Sequence, residues 1–127
     1  MELTLDLQPG LMTIARLPPD AAVPAWALAG VPASLTRTDA ELLIVCPHEL
    51  VPAGVRRQDG YRTFAVRGPL DFALTGIVSG LTAPLAAAGV PVFVISTFDT
   101  DLIMVPQTHL EAAVAALRGT GAAVAGA

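Results

Sequence analysis

The sequence predicts an α+β chain of ferredoxin-like type, with two tandem units of which the first is shortened and degenerate. Three observations carry this reading. From residue 61 onward the apolar pattern switches between strand and helix periods in the order β-α-β-β-α-β, the split ferredoxin-like unit. A worn version of the same pattern recurs in the first half. The 127 residues are 54% hydrophobic and only 14% charged, a composition that buries a core rather than staying disordered.

Taken in order, Leu3 to Leu7 reads as a leading strand or arm, and Leu11 to Arg16 as the first strand of the worn unit. Leu17 to Pro32 carries Pro18, Pro19, Pro24 and Pro32, so it cannot hold a full helix. At most Ala25 to Leu28 makes one turn, with Trp26 plugging the core beneath it. A shift of 60 lays Thr36–Leu50 on Ser96–Leu110, with Asp39 on Asp99, Glu41 on Asp101 and Leu42 on Leu102. A shift of 50 lays Leu11–Arg16 on Tyr61–Val66. The smaller offset means that the first copy has lost residues between its first strand and its hairpin.

Tyr61 to Arg67 alternates as a half-buried strand, and Gly68-Pro69 breaks it. Ile77, Val78, Leu81, Leu85 and Ala88 recur at helical spacing, with Thr75 as N-cap, Pro84 as a kink and Gly89 as the stop. Val90 to Ser96 is almost uniformly apolar and reads as a buried central strand. Thr97 to Asp101 is a polar turn and Leu102 to Val105 the return strand. Thr108 and Glu111 form the capping box of a second helix, whose stripe is Leu110, Ala113, Val114 and Leu117. Gly119 and Gly121 end it, and Ala122 to Val124 is a last short strand. The boundary falls near Gly54–Gly60, giving units 1–57 and 58–127.

Several function classes are excluded. The formal net charge is −4 and Arg56-Arg57 is the only basic doublet, so nothing suits nucleic acid. No apolar run reaches the roughly 18–20 residues of a membrane span, and Met1 to Thr4 has no signal-peptide character. Cys46 is the only cysteine, so no intrachain disulfide forms and a cytoplasmic location is expected. Ending an apolar strand, Cys46 reads as a buried inert thiol. His48 and His109 stand apart, without companions at metal-ligand spacing. No Ser elbow, P-loop or Rossmann glycine pattern occurs. An acylphosphatase-type site needs an Arg and a carboxamide; the chain lacks Asn, and Gln8, Gln58 and Gln107 fall in loop or terminal positions. The expectation is no catalytic residue, no metal and no cofactor.

A set of motifs points more specifically. Gly68-Pro69-Leu70-Asp71-Phe72, Leu74-Thr75-Gly76-Ile77, Pro84-Leu85, Gly89-Val90 and Ile95-Ser96-Thr97-Phe98-Asp99-Thr100-Asp101 resemble the small bacterial tandem ACT-domain proteins. The resemblance extends to the ACT domains of cytosolic arginine sensors in animals and of aspartate kinases. It is strong over residues 60–118, and the first half joins it through Leu17-Pro18-Pro19 and Pro24-Ala25-Trp26-Ala27-Leu28. It implies a tandem ferredoxin-like ACT fold, a homodimer whose sheets pair side by side, and a small ligand between ACT units, usually an amino acid. On the matching positions the ligand-binding residues are Thr75, Gly76 and Ile77 on the helix-opening loop. On the facing hairpin they are Ser96, Thr97, Phe98, Asp99 and Asp101.

These residue types suit an amino acid. Unpaired backbone N–H groups at a helix N-terminus attract a carboxylate. Asp99, Asp101 and the carbonyls near Ser96 and Thr97 offer acceptors to an ammonium. Phe98 suits a cover over a ligand or, equally, the seal of a dimer contact, and both Asp residues suit a plain turn. The expected function is a non-catalytic sensor or regulatory protein. The alternative is a structural dimerisation module that binds no metabolite.

Overall fold

The computed structural model describes residues 2–71 and 73–127; Met1 and Phe72, which belong to the segments quoted above, lie outside the described residues. The strands are β1 (Thr4–Leu7), β2 (Met12–Leu17), β3 (Ser34–Arg37), β4 (Leu42–Pro47), β5 (Arg56–Val66), β6 (Phe93–Ser96), β7 (Asp101–Pro106) and β8 (Ala123–Ala125). The helices are α1 (Ile77–Ala87) and α2 (Leu110–Gly119), and 3-10 turns occupy Ala25–Leu28, His48–Leu50 and Gln107–His109. No helix of the described residues is long and apolar enough to cross a membrane.

The chain forms two compact units, residues 10–61 and residues 2–9 with 62–127. In the first, the strand order is β3-β4-β2-β5, the order of a split ferredoxin-like unit. Its two helices are reduced to the 3-10 turns Ala25–Leu28 and His48–Leu50, as the prolines of Leu17 to Pro32 dictate for the first of them. Ala15, Ala27, Leu42, Ile44 and Cys46 are fully or almost fully buried there, and Trp26 packs half-buried against them. Burial, then the nearby Glu49, pushes the Cys46 thiol above its ordinary value, so it stays protonated and unreactive.

The second unit has the order β6-β7-β5-β1-β8. Leu81 and Leu85 of α1 and Ala113, Val114 and Leu117 of α2 are buried with Phe64, Leu5 and Ile103. The spacing of these residues gives each helix one apolar face. The leading strand is not an arm. β1 lies between β5, antiparallel with Leu5 opposite Val66, and β8, parallel with Leu5 opposite Val124. Residues 2–9 therefore belong with the C-terminal unit, and the units divide at 9/10 and 61/62 rather than at 57/58.

Other expectations are corrected. Val90 to Ser96 is no buried central strand: β6 is four residues long, half-buried, and paired with β7 alone. Val90 is 3% exposed and enters the core before the strand begins, while Pro91 has no N–H to give a ladder. Thr75 does not cap α1; Gly76 holds the N-cap position and no side chain caps the helix. The Thr108–Glu111 capping box does not form, because the 3-10 turn Gln107–His109 precedes α2 and Thr108 Oγ1 meets His109 Nδ1 at 3.2 Å.

The internal repeat is real in structure but one residue out of the expected register. In both hairpins a threonine closes the turn. Thr38 N donates to Glu41 O at 2.9 Å, and Thr97 N donates to Thr100 O at 2.7 Å. Strands β4 and β7 then share one burial pattern and both end in proline, Pro47 and Pro106. Thr38 thus matches Thr97, an offset of 59 rather than 60. Strand side chains alternate faces, so a one-residue slip exchanges them all. Asp101 corresponds to buried Leu42, Asp99 to Ala40 and Ser96 to Arg37. The acids of the C-terminal hairpin have no counterpart in Asp39 and Glu41.

Candidate functional site

The loop from β5 into α1 is shaped by its own backbone. Asp71 Oδ1 accepts from Ala73 N at 2.9 Å, and Leu74 N donates to Asp71 O at 3.0 Å. Gly76 then turns at φ 79°, a left-handed conformation that side chains strain to adopt. A Cβ at Gly76 would meet nothing within 4 Å, so the glycine serves the turn and not close packing. The helix starts with Gly80 N donating to Gly76 O at 2.9 Å. With no side chain as cap, the first-turn N–H groups carry the positive end of the helix dipole.

The hairpin between β6 and β7 faces this turn. Thr97 Oγ1 accepts from Thr100 N at 3.1 Å. Asp101 is 9% exposed, and its Oδ1 accepts from Ser96 Oγ at 2.6 Å. The loop and the hairpin are stitched together: Leu70 N donates to Asp99 O at 2.7 Å, and Thr100 Oγ1 donates to Val66 O.

Between them lies a cavity of about 290 Å³. Gly76, Ile77, Ser96, Thr97, Phe98, Asp99 and Asp101 line it; Thr75 does not. Leu70, Asp71, Leu74, Val78, Ser79 and Thr100 are the other described residues of its walls. Among the described residues three carboxylates and no Arg or His line it, so its field favours a cation. The α1 N-terminus stands at one wall beside Asp71, and Asp99 and Asp101 stand at the other. Leu74 and Phe98, 53% and 84% exposed, give the cavity an apolar margin. No group of three His, Cys, Asp or Glu residues able to hold a metal occurs among the described residues.

A second polar cluster, in the unit of residues 10–61, had no signal in the sequence. Thr13, fully buried on β2, donates from Oγ1 to Asp59 Oδ1 at 2.7 Å. His48 Nδ1 lies 3.0 Å from Thr13 Oγ1 and 3.3 Å from Asp59 Oδ1. The Thr13 hydroxyl first, then His48, hold the Asp59 carboxyl below its ordinary value of 3.8. A depressed folded pKa gives stability that is present above the unfolded value and lost as pH falls through the folded one. Asp59→Asn is therefore expected to lower the melting midpoint at pH 7 and to match the wild type once the pH is well below 3.8. Midpoints measured from pH 7 to pH 2 check this.

Comparison with known proteins places the two units separately. A family model described as ACT domain matches residues 56–119, and a model of an N-terminal domain matches residues 10–54. A crystal structure of an Agobacterium tumefaciens protein is 40% identical, with a TM-score of 0.92 over 98% of this chain and 92% of that one. A Vibrio cholerae protein of unknown function is 19% identical, with a TM-score of 0.76 over 94% and 90% of the two chains. The regulatory subunit of aspartate kinase from Thermus thermophilus, in its ligand-free form, is 11% identical, with a TM-score of 0.62 over 91% and 93%. The last two likenesses are of fold.

Proposed function

Because this chain belongs to the ACT-domain family, we propose that it is a non-catalytic regulatory protein that binds a free amino acid between the α1 N-terminus and the β6–β7 hairpin. One observation carries the proposal: a single cavity sets uncapped helix N–H groups against the Ser96–Asp101 pair. The ligand carboxylate takes the N–H groups of the first turn. The ammonium takes Asp101 and Asp99. With three acids in the wall, an amino acid carrying an extra positive charge is favoured over an acidic one.

The protein acts in the cytoplasm as a homodimer in this reading. β6 is hydrogen-bonded on one side only, to β7, which leaves an edge for a second copy. Ligand that prefers one packing of the two copies shifts the population toward it, and a partner reads that arrangement. No cofactor or metal takes part.

Thermal unfolding against each of the twenty amino acids at millimolar concentration tests this. A ligand at about 100 times its Kd adds about 2.7 kcal/mol of stability, enough to move the midpoint by several degrees. A shift confined to one or two amino acids, basic ones above all, is the expected result. A flat response to all twenty, together with a tight dimer, would instead identify a structural dimerisation module.

A further inference from the structure

A second cavity, of about 780 Å³, opens on the unit of residues 2–9 and 62–127, away from the α1 N-terminus and the β6–β7 hairpin. Arg62 of β5 and Arg118 of α2 both line it. Neither guanidinium is paired: the ion pairs among the described residues are Asp6–Arg67 and His48–Asp59. Each arginine spends one donor on the backbone. Arg62 Nη2 donates to Gln8 O at 3.3 Å and Arg118 Nη2 to Val124 O at 3.2 Å. Arg62 Nε is sealed from solvent with no acceptor. An arginine cannot shed its proton, so the part-buried Arg62 guanidinium, with one donor unmet and no ion-pair partner, is costly. Leu7, Leu110 and Val114 line the same cavity and supply apolar wall, and Glu111 adds one negative charge.

The geometry points to a second small-molecule site here, one that takes a monocarboxylate with an aliphatic body. Arg62 Nε is as closed to a ligand as to water, so the carboxylate takes the terminal N–H groups that Gln8 O and Val124 O leave over. The aliphatic body lies against Leu7, Leu110 and Val114. Glu111 disfavours a second negative charge, which selects a monocarboxylate over a dicarboxylate or a phosphate. The volume falls within the roughly 300–1,000 Å³ of small-molecule sites.

Calorimetric titration of hexanoate into the full chain tests the assignment, because hexanoate has no ammonium to offer Asp101. Saturable binding is expected. Arg118→Gln and Arg62→Gln should each weaken it by about tenfold or more, the worth of a charge-assisted hydrogen bond. Glu111→Gln, an exposed change that leaves the fold intact, should tighten it, and Asp101→Ala should leave it unchanged. The assignment is overturned by absence of saturable binding, by equal binding of hexanol, by a Glu111→Gln protein that binds no tighter, or by loss of binding in Asp101→Ala.

Discussion

Asp101→Ala is expected to weaken binding of the stabilising amino acid on the order of 100-fold, the scale of losing one partner of a desolvated charge pair. Asp101 is the buried acid of the cavity, and Ser96 Oγ fixes its Oδ1 at 2.6 Å. A carboxylate held in place needs no reordering when an ammonium arrives, so its removal costs affinity directly. Asp99 is exposed, and the atom the fold uses there is its backbone oxygen. Asp99→Ala keeps that oxygen and should cost less. Calorimetric Kd values for the two variants, beside their ligand-free melting midpoints, separate lost binding from lost folding. An Asp101→Ala protein with an unaltered Kd for the amino acid would put the ligand elsewhere.

Gly68→Ala should damage both the fold and the site, for a reason of space alone. A Cβ at Gly68 would lie 3.0 Å from Asp99 O, 3.2 Å from Leu70 N and 3.3 Å from Thr100 Cβ. Two of those atoms are backbone, so no side chain can swing aside. The hairpin turn must move away from the loop, which stretches the bond from Leu70 N to Asp99 O. Overpacking of this kind costs about 1–3 kcal/mol, several degrees of melting midpoint in a chain this size. Since the loop and the hairpin are the two walls of the cavity, amino-acid affinity should fall with it. Wild-type melting together with unaltered binding would show that the stitch does not hold the walls in place.

The order of elements was legible because each carries a period or a break. Four prolines between Leu17 and Pro32 announced a lost helix, and Ala25–Leu28 is the single turn that remains. Leu81, Leu85, Ala113 and Leu117 marked the two helices that cover the second unit. Most of the cavity wall was legible too, but through resemblance rather than through turn chemistry, in which an Asp is unremarkable. Pairing was the illegible part. An apolar run such as Val90 to Ser96 fits a buried strand or a half-buried edge equally, and neighbours decide which. The repeat slipped by one because apolar residues match their neighbours almost as well as themselves. The paired turn threonines, Thr38 and Thr97, and the closing prolines, Pro47 and Pro106, fix the register. Thr13, His48 and Asp59 come from three separate elements, and no spacing in the sequence joins them.

The place of β1 has a bearing on how the chain folds in time. Residues 4–7 pair with residues 64–66 on one side and residues 123–125 on the other. These are among the longest loop closures the chain can make, and such closures slow folding. During synthesis the unit of residues 10–61 can close as soon as its last strand clears the ribosome. β1 emerges well before β8 and must wait for it before its ladder is complete. A fragment beginning at residue 58 would carry nearly all of the ACT-matched segment and still lack the strand that joins β5 to β8. The sheet of this unit is therefore complete only when synthesis has passed residue 125.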